Sequence, residues 1–251
     1  MTQEFKNHFS AQAEAYRRYR PTYPAALFEW LAKQAPSNQL AWDCATGNGQ
    51  AAVGLADYFE SVIATDGSET QIAQATRHPK IQYQQAVAET NGLKSNDFDL
   101  ITVAQALHWF DLPKFFNECQ RLLKPKGIVA VWSYDILRLT PQINKITDHF
   151  YSDVVGSYWP PGRERIDEGY ETLEFPFNEF DTPQFNMSAR WSLEHFIQYF
   201  STWSAVQRYK EHNKTDPVEQ VKAQFEQAWG DPEQLQNVHW SITLRVGSVK
   251  S

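Results

Sequence analysis

The most distinctive chemistry-bearing stretch of the sequence follows a short apolar run near residue 40. Leu40-Ala41-Trp42 predicts a buried strand, and it leads directly into Asp43-Cys44-Ala45-Thr46-Gly47-Asn48-Gly49. A turn of small residues after a strand lets the backbone and a helix N-terminus approach a ligand closely. Asp43, Ala45, Gly47 and Gly49 are therefore candidate cofactor-binding residues.

Two kinds of cofactor site fit this turn. Gly47-x-Gly49-x-x-Ala52 matches the dinucleotide pattern, and Asp66, 19 residues after Gly47, is placed as a ribose-binding acid would be. That pattern requires its first glycine directly after the strand, whereas here four residues, beginning with Asp43, precede Gly47. Asp66 could also be a helix N-cap. A nucleotide-dependent oxidoreductase therefore remains an alternative function.

Further segments in the first half of the chain extend the pattern: Ile63-Ala64-Thr65-Asp66, Ala88-Glu89, Asp97-Phe98-Asp99-Leu100-Ile101 and Leu123-Lys124-Pro125-Lys126-Gly127. With the acid-ended strand and the Gly-x-Gly turn, the chain resembles the class I S-adenosylmethionine-dependent methyltransferases. The resemblance implies S-adenosylmethionine as the cofactor, with Asp66 on the ribose hydroxyls and Ala88 and Glu89 at the adenine edge. Ala45 stands where this family often has a glycine, and an alanine there predicts a negative φ.

A narrower resemblance concerns the acceptor. Tyr16-x-x-Tyr19-Arg20-Pro21-x-Tyr23-Pro24 and Gln105-Ala106-Leu107-His108-Trp109-Phe110 are similar to the trans-aconitate methyltransferase-like small-molecule subgroup. Tyr158-Trp159-Pro160-Pro161-Gly162-Arg163 is similar more loosely. Gln105 ends a predicted strand and is expected near the cofactor. The predicted substrate-binding residues are Tyr16, Arg20, His108, Trp109, Trp159 and Arg163.

These side chains leave two kinds of acceptor group open, a carboxylate and a hydroxyl. A carboxylate acceptor needs no general base, while a hydroxyl acceptor usually does, and His108 is the candidate for that role. His108 could instead be a hydrogen-bonded wall of the pocket. Arg163 could hold a substrate carboxylate bidentately, or be an exposed surface arginine. We therefore expect O-methylation of a carboxylate or hydroxyl, with a non-catalytic S-adenosylmethionine-binding protein as a further alternative.

Short apolar runs alternating with helices determine the predicted fold. Strands are expected at 40–42, 62–64, 81–83, 99–104 and 128–132, and late strands at 185–191 and 238–246. This alternation predicts an α/β fold with a doubly wound, mostly parallel, seven-stranded Rossmann-like sheet, an antiparallel edge strand and a helical cap. We expect N-terminal helices or a lid at 1–36, a cofactor-binding core at 37–135, and at 136–251 a substrate cap plus the last two strands.

Composition narrows the class of protein further. The 251 residues carry a net charge of −7, which disfavours a nucleic-acid partner, and 14% are aromatic, which indicates that some rings line a pocket or an interface. Two cysteines provide neither a disulfide framework nor a zinc quartet, so no metal is expected. The absence of a long apolar run predicts a cytoplasmic protein without membrane partners. For the oligomeric state, we expect either a monomer or a homodimer.

Overall fold

The computed structural model describes residues 18–170 and 172–249, and these form an eight-stranded sheet. Its strands are β1 (Leu40–Cys44), β2 (Ser61–Asp66), β3 (Ile81–Gln85), β4 (Phe98–Ala104), β5 (Leu123–Tyr134), β6 (Asn178–Glu179), β7 (Phe185–Trp191) and β8 (Gln236–Ser248). The order is β3-β2-β1-β4-β5-β8-β6, and β7 pairs with β8. Strands β1 to β5 are parallel to one another, whereas β8 is antiparallel to β5 and to β6.

The helices largely follow the strands as the alternation predicts. They are α1 (Ala25–Gln34), α2 (Gln50–Ala56), α3 (Glu69–Gln74), α4 (Leu112–Leu122), α5 (Pro141–His149), α6 (Glu164–Asp167), α7 (Leu193–Ser201), α8 (Ser204–Asn213) and α9 (Lys222–Trp229). A π-helical turn, Phe150–Val154, extends α5. Short 3₁₀ helices occupy Leu107–Trp109, Gly156–Tyr158 and Pro217–Gln220.

The mixed α/β sheet confirms the predicted fold class, and two details differ from the sequence-based expectation. The strand β6 was not expected, since two exposed residues carry no hydrophobic pattern. The pattern from Trp191 to Tyr209 predicts one helix, and that prediction is wrong: α7 ends at Ser201, and α8 begins at Ser204 with the extended Trp203 as its N-cap.

The chain divides into two compact units. Of the described residues, the sheet unit comprises 22–135, 165–170, 172–185 and 241–249. The helical unit comprises the described residues 18–21, 136–164 and 186–240. Residues 22–36, which include α1, are thus part of the sheet unit.

Each unit has its own aromatic interior. In the sheet unit, Trp42 of β1 and Trp132 of β5 are completely buried, as expected for parallel strands covered on both faces. In the helical unit, the rings of Phe200 and Phe225 stack with centroids 5.2 Å apart. Much of the high aromatic content therefore forms hydrophobic core.

Candidate active site

The candidate residues of the sheet unit lie where the chain changes direction within the sheet. From β1 the chain builds β2 and β3 on one side, and then returns to build β4 and β5 on the other. Ligands of open parallel sheets bind outside the carboxyl ends of the strands at this switch point. The loops after β1 and β4, which begin at Ala45 and Gln105, flank it.

Asp66, the last residue of β2, joins two backbone segments. Its Oδ2 accepts a hydrogen bond from the Gly47 N–H at 2.9 Å, and its Oδ1 accepts one from the Ser68 N–H at 2.8 Å. The N-cap of α3 is Ser68, so the alternative role of Asp66 as a helix cap is wrong. A Cβ placed on Gly47 or on Gly67 would meet no heavy atom within 4 Å, so the turns on both sides of the carboxylate border open space.

Asp43 lies beneath this turn and is 1% exposed. Its Oδ1 accepts from the Thr102 hydroxyl at 2.8 Å, and its Oδ2 accepts from the Thr46 hydroxyl. Burial raises the pKa of the Asp43 carboxyl to about 6, although these hydroxyls and the N–H of Ala52 in the first turn of α2 partly oppose the rise. Asp43 therefore fastens β1, the turn and β4 to one another.

The backbone of the turn is left-handed at three residues, and one of them corrects an expectation. The prediction of a negative φ at Ala45 is wrong, because its φ is 54°. The chain must reverse there so that the next N–H, that of Thr46, can bond to the Thr65 carbonyl at 2.8 Å. A left-handed alanine costs roughly 1–2 kcal/mol, which the surrounding hydrogen bonds offset. Gly47 and Gly49 have φ of 56° and 85°, which glycine adopts without that cost.

The remaining cofactor candidates follow β3 and β4. Ala88 is buried, and Glu89 Oε1 accepts from the backbone N–H of Asp111 at 2.9 Å, which ties the loop after β3 to the N-cap of α4. Gln105 also has a positive φ, 59°, and its Nε2 donates to the Tyr134 carbonyl at 3.3 Å. These contacts hold both loops at the carboxyl edge of the sheet.

His108 and Trp109 lie in the 3₁₀ helix that follows Gln105. Their ring centroids are 4.8 Å apart, and Trp109 is 57% exposed. Such exposure is unusual for a tryptophan and leaves its ring face available for contact with a ligand. The structure thus brings both residues to the same edge as the cofactor candidates.

The other substrate candidates belong to the helical unit. Arg20 Nε donates to Thr202 Oγ1 at 2.8 Å, and the guanidinium lies 5.1 Å from the Tyr199 ring centroid. Arg163 Nε donates to Tyr151 Oη at 3.0 Å, and the guanidinium lies 4.6 Å from the Trp159 ring centroid. Tyr16 lies outside the described residues.

Three residues of the site were not predicted from the sequence: Thr46, Thr102 and Tyr83. Thr46 is inside the motif, but nothing in the pattern distinguishes a hydroxyl that faces Asp43 from one that faces solvent. Thr102 is 59 residues from Asp43, so only strand pairing reveals their contact. Tyr83 contacts the turn from β3, and no motif includes it.

Within the described part of the chain, no group of three or more His, Cys, Asp or Glu side chains could hold a metal ion. None of the helices within residues 18–170 and 172–249 has the length and apolar character needed to cross a membrane.

Comparison with known proteins identifies the class. Residues 42–131 match a methyltransferase domain model. A Dictyostelium discoideum protein named as a methyltransferase is 32% identical over 223 residues, which cover 87% of this chain and 85% of that protein. A solved structure described as a type II methyltransferase from Anaeromyxobacter dehalogenans is 40% identical with a TM-score of 0.86, covering 92% of this chain and 98% of that one.

A more distant structure shares the fold alone. It is a Haemonchus contortus phosphoethanolamine N-methyltransferase solved with S-adenosylhomocysteine, at 16% identity and a TM-score of 0.50, covering 100% of this chain and 58% of that one. The chain belongs to the class I S-adenosylmethionine-dependent methyltransferases. It is therefore an enzyme of methyl transfer, and an oxidoreductase is not favoured.

Proposed function

We propose that this chain transfers a methyl group from S-adenosylmethionine to an oxygen atom of a small organic acceptor, with a carboxylate as the first choice. The observation that carries the proposal is Asp66, whose carboxylate links the Gly47 and Ser68 amides at the carboxyl edge of the sheet. Each carboxylate oxygen can accept a further hydrogen bond, so Asp66 can also accept hydrogen bonds from two ribose hydroxyls.

The residues around Asp66 fit such a cofactor. The open space at Gly47 and Gly67 leaves room beside the carboxylate, and Ala88 and Glu89 are held at the same edge. Because Asp43 is buried, we assign to it the positioning of the turn through Thr46 and Thr102. When bound, S-adenosylmethionine supplies a methyl group already activated by its sulfonium.

What the chain must then do is hold the acceptor in line with that methyl group, and orientation of this kind is worth roughly 7–11 kcal/mol. Arg163 is suited to a carboxylate because stacking on Trp159 and the bond to Tyr151 fix the plane of its guanidinium. A fixed planar fork matches the two oxygens of a carboxylate. The similarity to the trans-aconitate methyltransferase-like subgroup supports the same choice.

A hydroxyl acceptor is the second candidate, because His108 follows β4 at the edge that carries Asp66 and Gln105. An imidazole there can take the proton that a hydroxyl loses on methylation. A lid function for residues 1–36, and a part for Arg20 in it, stay predictions.

The test is a transfer assay with methyl-labelled cofactor and a panel of small carboxylic acids, alcohols and amines. The wild type is compared with Arg163→Gln, His108→Asn and the control Arg208→Gln, which alters an exposed arginine of the same unit. We expect an acid to be methylated, with a KM raised roughly tenfold or more by Arg163→Gln, since hydrogen bonds to charged groups contribute about 1.5–3 kcal/mol.

Two results would contradict the proposal that the acceptor group is a carboxylate. One is methylation of alcohols or amines only, with His108→Asn abolishing turnover while cofactor affinity is unchanged; that result would make His108 the base. The other is an equal effect of Arg163→Gln and Arg208→Gln on the KM for the acid, which would remove Arg163 from the acceptor site.

A further inference from the structure

Tyr83, in the middle of β3, lies against the glycine turn at Gly49. A Cβ built on Gly49 would overlap the Tyr83 hydroxyl and lie 3.0 Å from its Cζ, so the tyrosine occupies the place of a side chain at residue 49. Gly49 is therefore required for two reasons, its φ of 85° and this close approach.

A short chain of hydrogen bonds connects the same hydroxyl to the turn. Tyr83 Oη donates to the Thr76 carbonyl at 2.7 Å, and the Thr76 N–H donates to the Asn48 carbonyl at 3.0 Å. The segment after α3 thus serves as a bridge between β3 and the turn. The neighbouring Arg77 guanidinium lies 5.7 Å from the centroid of the Tyr83 ring.

The hydroxyl is a dependable donor at physiological pH. Burial and the nearby Asp43 charge raise the pKa of Tyr83 to about 12, against a smaller opposing effect of Arg77. The phenol therefore stays protonated and keeps its bond to the Thr76 carbonyl.

The turn is thus held at two points. Asp66 accepts a hydrogen bond from the Gly47 N–H, while Tyr83 lies against Gly49 and is connected to Asn48 through Thr76. We propose that Tyr83 is a positioning residue that keeps the Gly47-Asn48-Gly49 turn in the shape that cofactor binding requires. The inference rests on the proposed function, because it assigns the cofactor to this turn. A turn fixed in advance loses less conformational entropy on binding, so the contribution of Tyr83 should be visible in cofactor affinity.

The test uses Tyr83→Phe, which keeps the ring against Gly49 and removes only the hydroxyl. The matched control is Tyr58→Phe, because Tyr58 Oη also donates to a backbone carbonyl of the sheet unit, that of Ala25 at 3.4 Å. Calorimetry with S-adenosylhomocysteine should show a Kd raised roughly threefold to tenfold by Tyr83→Phe, as expected for one neutral hydrogen bond. Tyr58→Phe should leave the Kd unchanged, and in the transfer assay Tyr83→Phe should raise the KM for S-adenosylmethionine by a larger factor than it lowers kcat.

Hydrogen exchange of the free protein gives a second measurement. The Gly49 N–H donates to the Thr46 carbonyl at 2.9 Å inside the turn, and its exchange should accelerate in Tyr83→Phe but not in Tyr58→Phe. A Kd of Tyr83→Phe equal to that of the wild type would overturn the inference, whatever the exchange rate. If the wild type binds no S-adenosylhomocysteine, the proposed function fails, whereas unchanged exchange at Gly49 alone would reject the bridge through Thr76.

Discussion

At the scale of single residues, the site depends on two carboxylates in contrasting environments. Asp66 is partly exposed beside open space, whereas Asp43 is buried beneath the turn with both oxygens bound to threonine hydroxyls. The exposed acid is available to a ligand, and the buried acid maintains the geometry around it. The two acids of the motif therefore have different tasks.

Asp43 should leave a signature in the pH dependence of stability. Its folded pKa of about 6 exceeds the ordinary 3.8, so between these values the folded protein binds more protons than the unfolded chain. The stabilising contribution is complete below pH 3.8 and is lost as the pH rises through about 6. In urea unfolding, the stability difference between wild type and Asp43→Asn should fall by about 2 kcal/mol from pH 4 to pH 7.

The exposed residue Asp57 supplies the control, since Asp57→Asn makes the same chemical change at a carboxyl that is not buried. A difference between wild type and Asp43→Asn that stays constant with pH would mean that Asp43 titrates like an ordinary aspartate.

The motif residues were predictable from the sequence, but their backbone conformation was not. An acid after an apolar run and a Gly-x-Gly turn indicate a cofactor loop at Asp43, Gly47 and Gly49. The left-handed Ala45 was not predictable, because the bond from Thr46 to Thr65 that enforces it joins two strands. Local propensity gives way here to a contact between strands.

At the scale of elements, α2 begins directly after the glycine turn, and α1 packs on α2 with the ring of Phe28 against Gly54. A Cβ on Gly54 of α2 would overlap the buried ring of Phe28 in α1. Alanine normally stabilises a helix by about 1 kcal/mol relative to glycine, but overpacking costs about 1–3 kcal/mol. Gly54→Ala should therefore destabilise the protein in urea unfolding.

A double-mutant cycle isolates this contact. In the Phe28→Ala background the ring is absent, so Gly54→Ala should be neutral or stabilising there. Equal destabilisation of both backgrounds would show that the packing of α1 on α2 does not exclude a side chain at residue 54.

Elements were predictable where they are long and periodic. The strands β1 to β5 follow from their apolar runs, and β4 is buried at its first six positions. The break between α7 and α8 was missed because neither glycine nor proline marks Thr202 and Trp203. There the chain follows tertiary packing: Trp203 is buried, with its ring centroid 4.8 Å from that of Phe200.

At the scale of the whole molecule, the chain combines a sheet unit that carries the cofactor candidates with a helical unit rich in aromatic rings. Composition alone could not distinguish rings of a pocket from rings of a core. The structure shows Phe150, Phe196 and Phe200 fully buried, while Tyr151 and Trp159 beside Arg163 are only partly buried. The acceptor site that we propose includes rings of this second, partly buried kind.

We propose that this methyltransferase binds its cofactor at Asp66 on the carboxyl edge of the sheet, and calorimetric titration with S-adenosylhomocysteine is the test of that assignment. We predict one-to-one binding to the wild type and no binding of a nicotinamide dinucleotide. In folded Asp66→Ala we predict a loss of about 1.5–3 kcal/mol in binding free energy, roughly 10- to 150-fold in Kd. Absence of binding to the wild type, or an unchanged Kd in folded Asp66→Ala, would contradict the assignment of the cofactor site to Asp66.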